Sequence, residues 1–249
     1  MIRLKTPEEV KGIRESCKLL SELLLALRGI VQEGVSTKDI DAFVRTECKR
    51  MGAAPAFLGY QGYPAAICTS VNDVVIHGIP NKRKLRKGDI ISLDCGLEYH
   101  GYYSDAAFTL PIGNISPEAL RLLQVTKECL ELALGQAVSG NRIHDISRAV
   151  YQHAKANRLG VVREFCGHGV GLQQHEDPQI PNYVGRGPNP RLKPGMVLAI
   201  EPMINAGEDD VFVEEDNWTV KTADHSLSAH FEHTIAILEE GTEVLTQWE

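Results

Sequence analysis

Apolar residues recur at helical spacing in four stretches of the chain, and recognisable start signals precede them. The first stretch opens with Thr6-Pro7-Glu8-Glu9, which combines an N-cap, a proline at the first helical position and a glutamate placed for a capping box. Its apolar face continues to about Gly34 through Ile13, Leu19, Leu20, Leu23, Leu24 and Leu27. The pattern predicts three further helices: Thr37 to about Met51, Asn114-Ile115-Ser116-Pro117-Glu118 to near Gly140, and His144 to about Arg158.

Each predicted helix pair is followed by β-rich sequence, and the two halves keep a nearly constant spacing. Residues 87–94 and 194–201 each have a glycine followed by a strand-like apolar run that ends in a carboxylate, Asp94 or Glu201, and their glycines are 107 positions apart. Arg50-Met51-Gly52 recurs 108 positions later as Arg158-Leu159-Gly160. These landmarks predict an internal duplication with pseudo-repeats at about 6–112 and 116–241. We therefore expect one α+β domain over residues 1–249, with a cleft between two pseudo-symmetric halves.

Composition excludes several classes of protein. A hydrophobic share of 43% in 249 residues can fill a core, which excludes a disordered or collagen-like chain. The net charge of −7 argues against specific nucleic-acid binding. Apolar runs stay short of the ~18 residues that a membrane span needs, so no membrane association is expected. The start lacks the apolar stretch of a secretory signal and the six cysteines form no CxxC pair, so a reduced, cytoplasmic protein is expected.

Four carboxylates stand where strands should be apolar. Asp94 and Glu201 end apolar runs, and the returning strands carry Asp105 and Glu232 at equivalent places. Pseudo-symmetry would make these four groups face one another across the cleft, where only a cation could offset their repulsion. Oxygen-rich ligation with one or two histidines suits Mn, Fe or Co. The alternative is that each is an ordinary turn or surface acid, which is less plausible for four repeat-equivalent positions than for one.

A nitrogen ligand is expected between the second helix pair and Glu201. His168 in Phe165-Cys166-Gly167-His168-Gly169-Val170-Gly171 fits, because flanking glycines permit close approach of the backbone. His77 and His175 lie in comparable loops rich in glycine and proline, and neither has the HExxH spacing of a zincin. His230 shares a predicted strand face with Glu232, which favours a role beside the ligands rather than as one.

Two Asp, one His and two Glu in this order, on a duplicated α+β frame, resemble the dimetal methionine aminopeptidases and their wider pita-bread (creatinase/aminopeptidase) relatives. The resemblance covers nearly the whole chain. It includes Thr6-Pro7-Glu8-Glu9, Leu58-Gly59-Tyr60-Gln61-Gly62-Tyr63-Pro64, Asn72-Asp73-Val74-Val75-Ile76-His77-Gly78-Ile79-Pro80, Gly167-His168-Gly169-Val170-Gly171, Glu201-Pro202-Met203, Trp218-Thr219 and Ser226-Leu227-Ser228-Ala229-His230-Phe231-Glu232-His233-Thr234. It implies a central curved antiparallel sheet with helices outside, in a single catalytic domain.

The family's subtypes differ in added segments. Relatives that act on X-Pro bonds carry a large N-terminal domain, for which residues 1–5 leave no room. Type II methionine enzymes carry a long insertion in the second half, whereas His168 and Glu201 are only 33 positions apart here. The eukaryotic type I enzymes add an N-terminal zinc-binding extension. The resemblance therefore implies a minimal, bacterial-style type I enzyme that removes N-terminal methionine when the second residue is small and uncharged.

The resemblance also implies roles for individual residues. Two divalent ions per chain, whether Co, Mn, Fe(II) or Zn, would be held by Asp94, Asp105, His168, Glu201 and Glu232. Asp94 would be a bidentate terminal ligand, and Asp105 and Glu232 would bridge. Glu201 would also be the general base, while His77 and His175 would hydrogen-bond the peptide during catalysis.

Four positions match the family's methionine pocket, namely Tyr60, Tyr63, Cys68 and Trp218. For Cys68 and Trp218, core packing is the alternative interpretation. One position departs from the family, because Gln174 stands where most relatives have an aromatic residue before the second substrate histidine. If its amide faced the methionine side chain, the pocket would be wider or more polar, and less selective for methionine.

The expected partners are the N-termini of nascent polypeptides. The basic run Lys82-Arg83-Lys84-Leu85-Arg86-Lys87 could face the ribosome near the exit tunnel, although such a run is more often a solvated loop. The resemblance implies a monomer.

Two other functions stay open at this point. One is a different pita-bread peptidase, such as an X-Pro aminopeptidase, and the other is a non-catalytic peptide-binding relative. The second requires loss of a metal ligand, and all five are present.

Overall fold

The computed structural model describes residues 1–247, and the four α-helices of this part start close to where the sequence predicts, while a short 3-10 helix spans Tyr60–Gly62. The α-helices are α1 (Pro7–Ile30), α2 (Thr37–Met51), α3 (Pro117–Gln136) and α4 (Ile143–Ala156). The first and third end four residues short of the predicted glycines. The backbone leaves the helical region at Val31 and Ala137, before Gly34 and Gly140 are reached.

The helix starts follow local chemistry. The Thr6 hydroxyl accepts a hydrogen bond from the Glu9 backbone N–H at 3.2 Å, and the Glu9 carboxylate accepts one from the Thr6 N–H at 2.8 Å. Ser36 and Asp39 form the same reciprocal pair at the start of α2. These bonds satisfy backbone donors that a helix N-terminus leaves open.

Fifteen strands account for the β-rich parts of the described residues. In the first half they are β1 (Ala54–Pro55), β2 (Cys68–Val71), β3 (Val74–Ile76), β4 (Ile90–Tyr99) and β5 (Tyr102–Pro111). In the second half they are β6 (Gly160–Val161), β7 (Cys166–Gly169), β8 (Glu176–Pro181), β9 (Val197–Ile200), β10 (Met203–Asn205), β11 (Val211–Val213), β12 (Val220–Thr222), β13 (Ser228–His230), β14 (His233–Leu238) and β15 (Gly241–Val244). Two helices thus precede the main strands of each half, while the duplication itself stays a prediction.

Within residues 1–247 every strand pair is antiparallel. A four-stranded sheet has β4 paired with β1, β2 and β5, and a five-stranded sheet has the order β15-β14-β9-β7-β8. Two three-stranded sheets, β13-β10-β6 and β11-β12-β3, complete the architecture. The expected end of the first apolar run at Asp94 is wrong, because β4 continues through Cys95-Gly96-Leu97 to Tyr99.

The two larger sheets meet along β5. The Glu232 backbone N–H donates to the Ala107 carbonyl at 2.8 Å, and the Thr234 hydroxyl donates to the Asp105 carbonyl at 2.6 Å. The Thr109 hydroxyl donates to the His230 carbonyl at 2.8 Å. This seam brings the acidic strands of the first half against those of the second.

The helices cover the outside of the sheets. Helix α1 packs on β4 and β5 through fully buried leucines, and α3 packs against α4. All six cysteines are free thiols. In the described part of the chain, no helix is both long and apolar enough to cross a membrane.

Two adjacent leucines of α1 test this packing. Leu24 is fully buried and Leu25 is 45% exposed, so Leu24→Ala should reduce the free energy of unfolding by about 2–5 kcal/mol. Leu25→Ala, its matched control, should change that free energy by no more than about 0.5 kcal/mol. Urea unfolding of the two variants measures both values. Equal losses would contradict this orientation of α1.

Candidate functional site

The first two acidic residues lie on neighbouring strands. Asp94 is on β4 and Asp105 on β5, where Asp94 pairs with Ala107 and Gly96 pairs with Asp105. Asp105 is buried, and the Oδ1 atoms of both aspartates are shielded from solvent and accept no hydrogen bond within residues 1–247. Buried acceptors of this kind are costly unless a cation or donor satisfies them.

The second half supplies two glutamates and a histidine. Glu201 directly follows β9, Glu232 lies between β13 and β14, and His168 is on β7. Ligand atoms of Asp105, His168 and Glu232 lie within 4.8 Å of one another, a spacing that could hold a metal ion. The His168 Nε2 atom is 3.7 Å from Asp105 Oδ2 and 3.5 Å from Glu201 Oε1.

Hydrogen bonding fixes which nitrogen of His168 faces these carboxylates. Its Nδ1 is 2.9 Å from the Gly169 carbonyl, which can only accept, so Nδ1 carries the proton. Burial lowers the pKa of His168 to about 3, so the ring is neutral and Nε2 presents a lone pair. A lone pair among carboxylates is the arrangement of a metal ligand whose other nitrogen is held by a backbone carbonyl.

Burial and mutual repulsion disfavour the charged forms of these carboxylates. Burial raises the pKa of Asp94 to about 7, against an opposing hydrogen bond with Asp105. Burial, followed by repulsion from neighbouring carboxylates, raises the pKa values of Asp105, Glu201 and Glu232 well above their ordinary range. A cation at this site would favour the charged forms. The donor set of carboxylate oxygens and one imidazole therefore fits divalent ions such as Mn, Fe or Co.

His230 lies beside this cluster, but the expectation that it shares a strand face with Glu232 is wrong, because β13 ends at His230 and β14 begins only at His233. The His230 Nε2 atom is 3.8 Å from Glu201 Oε2 and 3.9 Å from Glu232 Oε2. Burial lowers the pKa of His230 to about 3, so it too is neutral.

A cavity of about 430 Å³ opens onto the cluster. Gln174 and His230 do not line it, but the other eleven candidate residues do. They are Tyr60, Tyr63, Cys68, His77, Asp94, Asp105, His168, His175, Glu201, Trp218 and Glu232. The structure thus brings together side chains from both halves of the chain.

The two loop histidines lie on the wall of this cavity. His77 follows β3 with a φ of +58°, and its ring meets the rings of Phe165 and Trp218 edge-on at centroid distances of 5.6 and 6.0 Å. Burial lowers the pKa of His77 to about 4. The neutral ring can therefore donate a hydrogen bond without carrying charge.

His175 connects the acidic cluster with the aromatic side of the cavity. Its Nδ1 is 3.0 Å from the Tyr60 hydroxyl, and the two rings stack at a centroid distance of 5.1 Å. The ring of His168 is 4.2 Å away on the other side. Burial lowers the pKa of His175, which again favours the neutral form.

Aromatic residues close the apolar end. Tyr63 meets Trp218 edge-on at 5.1 Å, and its hydroxyl donates to the Gly78 carbonyl at 3.1 Å. Phe57 and Cys68 belong to the same apolar cluster. An unbranched apolar side chain would find ring and sulfur contacts here.

Seven further lining residues were not predicted from the sequence: Phe57, Gln61, Ile76, Glu164, Phe165, Cys166 and Gln179. Gln61, Ile76, Phe165 and Cys166 lie within motifs quoted above. Their position beside Tyr60, His77 and Gly167-His168 is the signal that could have identified them, whereas Phe57, Glu164 and Gln179 lie outside those motifs.

The expectation that Gln174 faces the methionine pocket is wrong. Gln174 is 2% exposed, does not line the cavity, and donates from Nε2 to Asp105 Oδ2 at 2.5 Å. The preceding turn is closed by Glu176, whose Oε1 accepts hydrogen bonds from Leu172 N and Gln173 N, and this sends the Gln174 side chain behind the cavity wall.

Comparison with known proteins identifies the family of this chain. The family model for metallopeptidase family M24 matches residues 11–239. A methionine aminopeptidase from Treponema pallidum is 50% identical over 99% of this chain and 97% of that protein. Methionine aminopeptidase 1 from Bacillus subtilis is 48% identical over 99% of this chain and all of that protein.

Solved structures share the fold. The crystal structure of a methionine aminopeptidase from Thermotoga maritima superposes with a TM-score of 0.96 at 43% identity, covering 99% of this chain and 100% of that one. A prolidase from Pyrococcus furiosus has a TM-score of 0.77 at 25% identity, and this chain covers 66% of its length. The expected α+β pita-bread fold is confirmed, and the chain belongs to metallopeptidase family M24, within it to the methionine aminopeptidases.

Proposed function

We propose that this protein hydrolyses the first peptide bond of polypeptides that begin with methionine, when the second residue is small and uncharged. One observation carries the proposal. The five candidate metal ligands, the two loop histidines and the aromatic pocket line a single cavity. The side chain to be recognised and the bond to be cut would therefore be held next to each other.

In this proposal two divalent ions per chain are held by the acidic cluster, and Co, Mn, Fe(II) and Zn are the candidates. The residues that would hold these ions are Asp94, Asp105, His168, Glu201 and Glu232. When bound, such ions lower the pKa of a coordinated water and polarise the peptide carbonyl.

Glu201 is proposed as the general base. Its Oε1 lies 3.5 Å from His168 Nε2, its Oε2 lies 3.8 Å from His230 Nε2, and the side chain lines the cavity. From there it can accept the proton of the attacking water and pass it to the departing amine.

His77 and His175 are proposed to act on the substrate. Both are neutral because burial lowers their pKa values, and a neutral imidazole N–H can donate to the oxygen on which charge develops. The Tyr60 hydroxyl, 3.0 Å from His175 Nδ1, fixes the orientation of that ring. Tyr63, Cys68 and Trp218 then surround the methionine side chain.

We also propose that the protein acts as a cytoplasmic monomer on nascent chains, near the ribosome exit tunnel. Within the basic run, four cations are exposed, namely Lys82, Lys84, Arg86 and Lys87, while Leu85 is buried in the core. Arg83 pairs with Asp89 at 3.3 Å. The exposed cations are the groups that could contact ribosomal RNA.

Replacing the proposed base should remove catalysis. Glu201→Gln deletes the proton acceptor and one negative charge toward the ions, so turnover of Met-Ala-Ser should fall to well below a tenth of wild type, a barrier increase above about 1.4 kcal/mol. Circular dichroism should show an unchanged fold. Glu239→Gln, at an exposed position outside the cavity, is the control. Retention of more than about a tenth of the turnover would exclude Glu201 as the base.

The two loop histidines should separate catalysis from metal binding. His77→Ala and His175→Ala should each lower kcat at least tenfold, about 1.4 kcal/mol, while metal content stays at the wild-type level. His153→Ala on α4, where the side chain pairs with Glu128, should change neither quantity. Loss of a metal equivalent in either variant would make that histidine a ligand and contradict the assignment.

Substrate choice should depend on the size of the second residue. The resemblance to the methionine aminopeptidases implies that the second residue must be small. Peptides with Gly, Ala, Ser, Cys, Thr, Val or Pro at position two should be cleaved, and Met-Leu and Met-Lys peptides should not. Efficient cleavage of the latter, measured by release of free methionine, would count against the proposal.

The basic run should matter only for ribosome association. Charge reversal at Lys82 and Lys84 should abolish salt-sensitive co-sedimentation with ribosomes and leave Met-Ala-Ser turnover unchanged. Lys11 and Lys18, both exposed on α1, provide a control reversal of equal charge. Co-sedimentation that survives the first reversal would rule out this contact.

A further inference from the structure

Gln174 contacts the acidic cluster from outside the substrate cavity. It lies between β7 and β8, is 2% exposed, and its Nε2 donates to Asp105 Oδ2 at 2.5 Å. We propose that Gln174 is a positioning residue, which holds the Asp105 carboxylate in the orientation that binds metal. The inference rests on the metal role proposed for Asp105.

The backbone around Gln174 is braced by a buried ion pair. Glu176 accepts hydrogen bonds through Oε1 from Leu172 N at 2.7 Å and from Gln173 N at 3.1 Å. Its Oε2 accepts one from Lys5 Nζ at 2.8 Å, and both side chains are largely buried. The loop is therefore held by hydrogen bonds on both sides of Gln174, and these restrain the backbone that carries its amide.

The strand opposite leaves space for this side chain. Gly96 pairs with Asp105 in the β4–β5 ladder. A Cβ atom at Gly96 would lie 3.1 Å from Gln174 Oε1 and 2.9 Å from the ring of Phe57. The absence of a side chain at position 96 thus forms the slot in which the amide reaches Asp105.

The chemistry of the contact suits a carboxylate that binds a metal ion. Each carboxylate oxygen has two lone pairs, so Asp105 Oδ2 can accept the amide hydrogen and still bind a cation. Asp105 Oδ1 accepts no hydrogen bond within residues 1–247 and stays available as well. A neutral donor orients the carboxylate without adding charge to a cluster that already holds four acids. Partners of this kind, behind the direct ligands, set ligand direction.

Gln174→Met tests the inference, because methionine keeps the length and approximate volume of the side chain but cannot donate. Titration calorimetry with Mn²⁺ on the metal-free protein should show binding about 10–100-fold weaker than in wild type. The visible spectrum of the Co²⁺-loaded protein should shift. The value of kcat for Met-Ala-Ser should fall by a larger factor than KM changes. The preference for methionine over norleucine should stay as in wild type. Gln173→Met, at the exposed neighbouring position, should leave all four measurements unchanged.

Unchanged Mn²⁺ affinity in folded Gln174→Met would overturn the inference, and an altered preference between methionine and norleucine would place Gln174 in the pocket instead. Should Gln174→Met fail to fold, Gln174→Asn, whose amide is one methylene too short to reach Asp105, is measured in the same way with the same expected loss. Asp105→Asn distinguishes failure of the proposed metal site from failure of the inference about Gln174. If it retains normal Mn²⁺ binding, the proposed metal site is wrong, whereas if it loses binding while Gln174→Met does not, only the inference about Gln174 fails.

Discussion

Electrostatic repulsion among buried carboxylates is the constraint around which this protein is organised. Asp94, Asp105, Glu201 and Glu232 line one cavity, and the lone pair of His168 Nε2 points at them. Burial and mutual repulsion raise the pKa values of these acids, so a fully charged cluster requires a compensating cation. The same arrangement that is unfavourable for a metal-free protein is what a divalent ion needs.

The fold supplies this arrangement through the contact between its two larger sheets. Strand β5 carries Asp105 and is hydrogen-bonded to the segment that carries Glu232, while β7 and β9 bring His168 and Glu201 to the same edge. The aromatic pocket is assembled on the other side of the cavity from loops of both halves. Substrate recognition and chemistry therefore depend on one seam, and neither half contains a complete site.

The parts of the structure that local chemistry determines could be predicted from the sequence. The capping boxes at Thr6 and Ser36 depend only on residues three positions apart. Carboxylates inside apolar runs can likewise be recognised in the sequence without knowledge of the tertiary structure. The sequence does not predict the continuation of β4 beyond Asp94, because this acid interrupts the apolar run that Cys95-Gly96-Leu97 resume. The direction of Gln174 is unpredictable for a different reason. Its partner Asp105 is 69 positions away, and the turn that aims it is closed by Glu176 and Lys5.

The central claim is that the acidic cluster works only with a bound cation. Turnover of Met-Ala-Ser before and after chelation, with metal content measured in parallel, tests it most directly. We predict that chelation abolishes release of methionine and that readdition of Mn²⁺, Fe²⁺ or Co²⁺ to the folded, metal-free protein restores it. Full turnover by protein in which no metal is detectable would contradict this account.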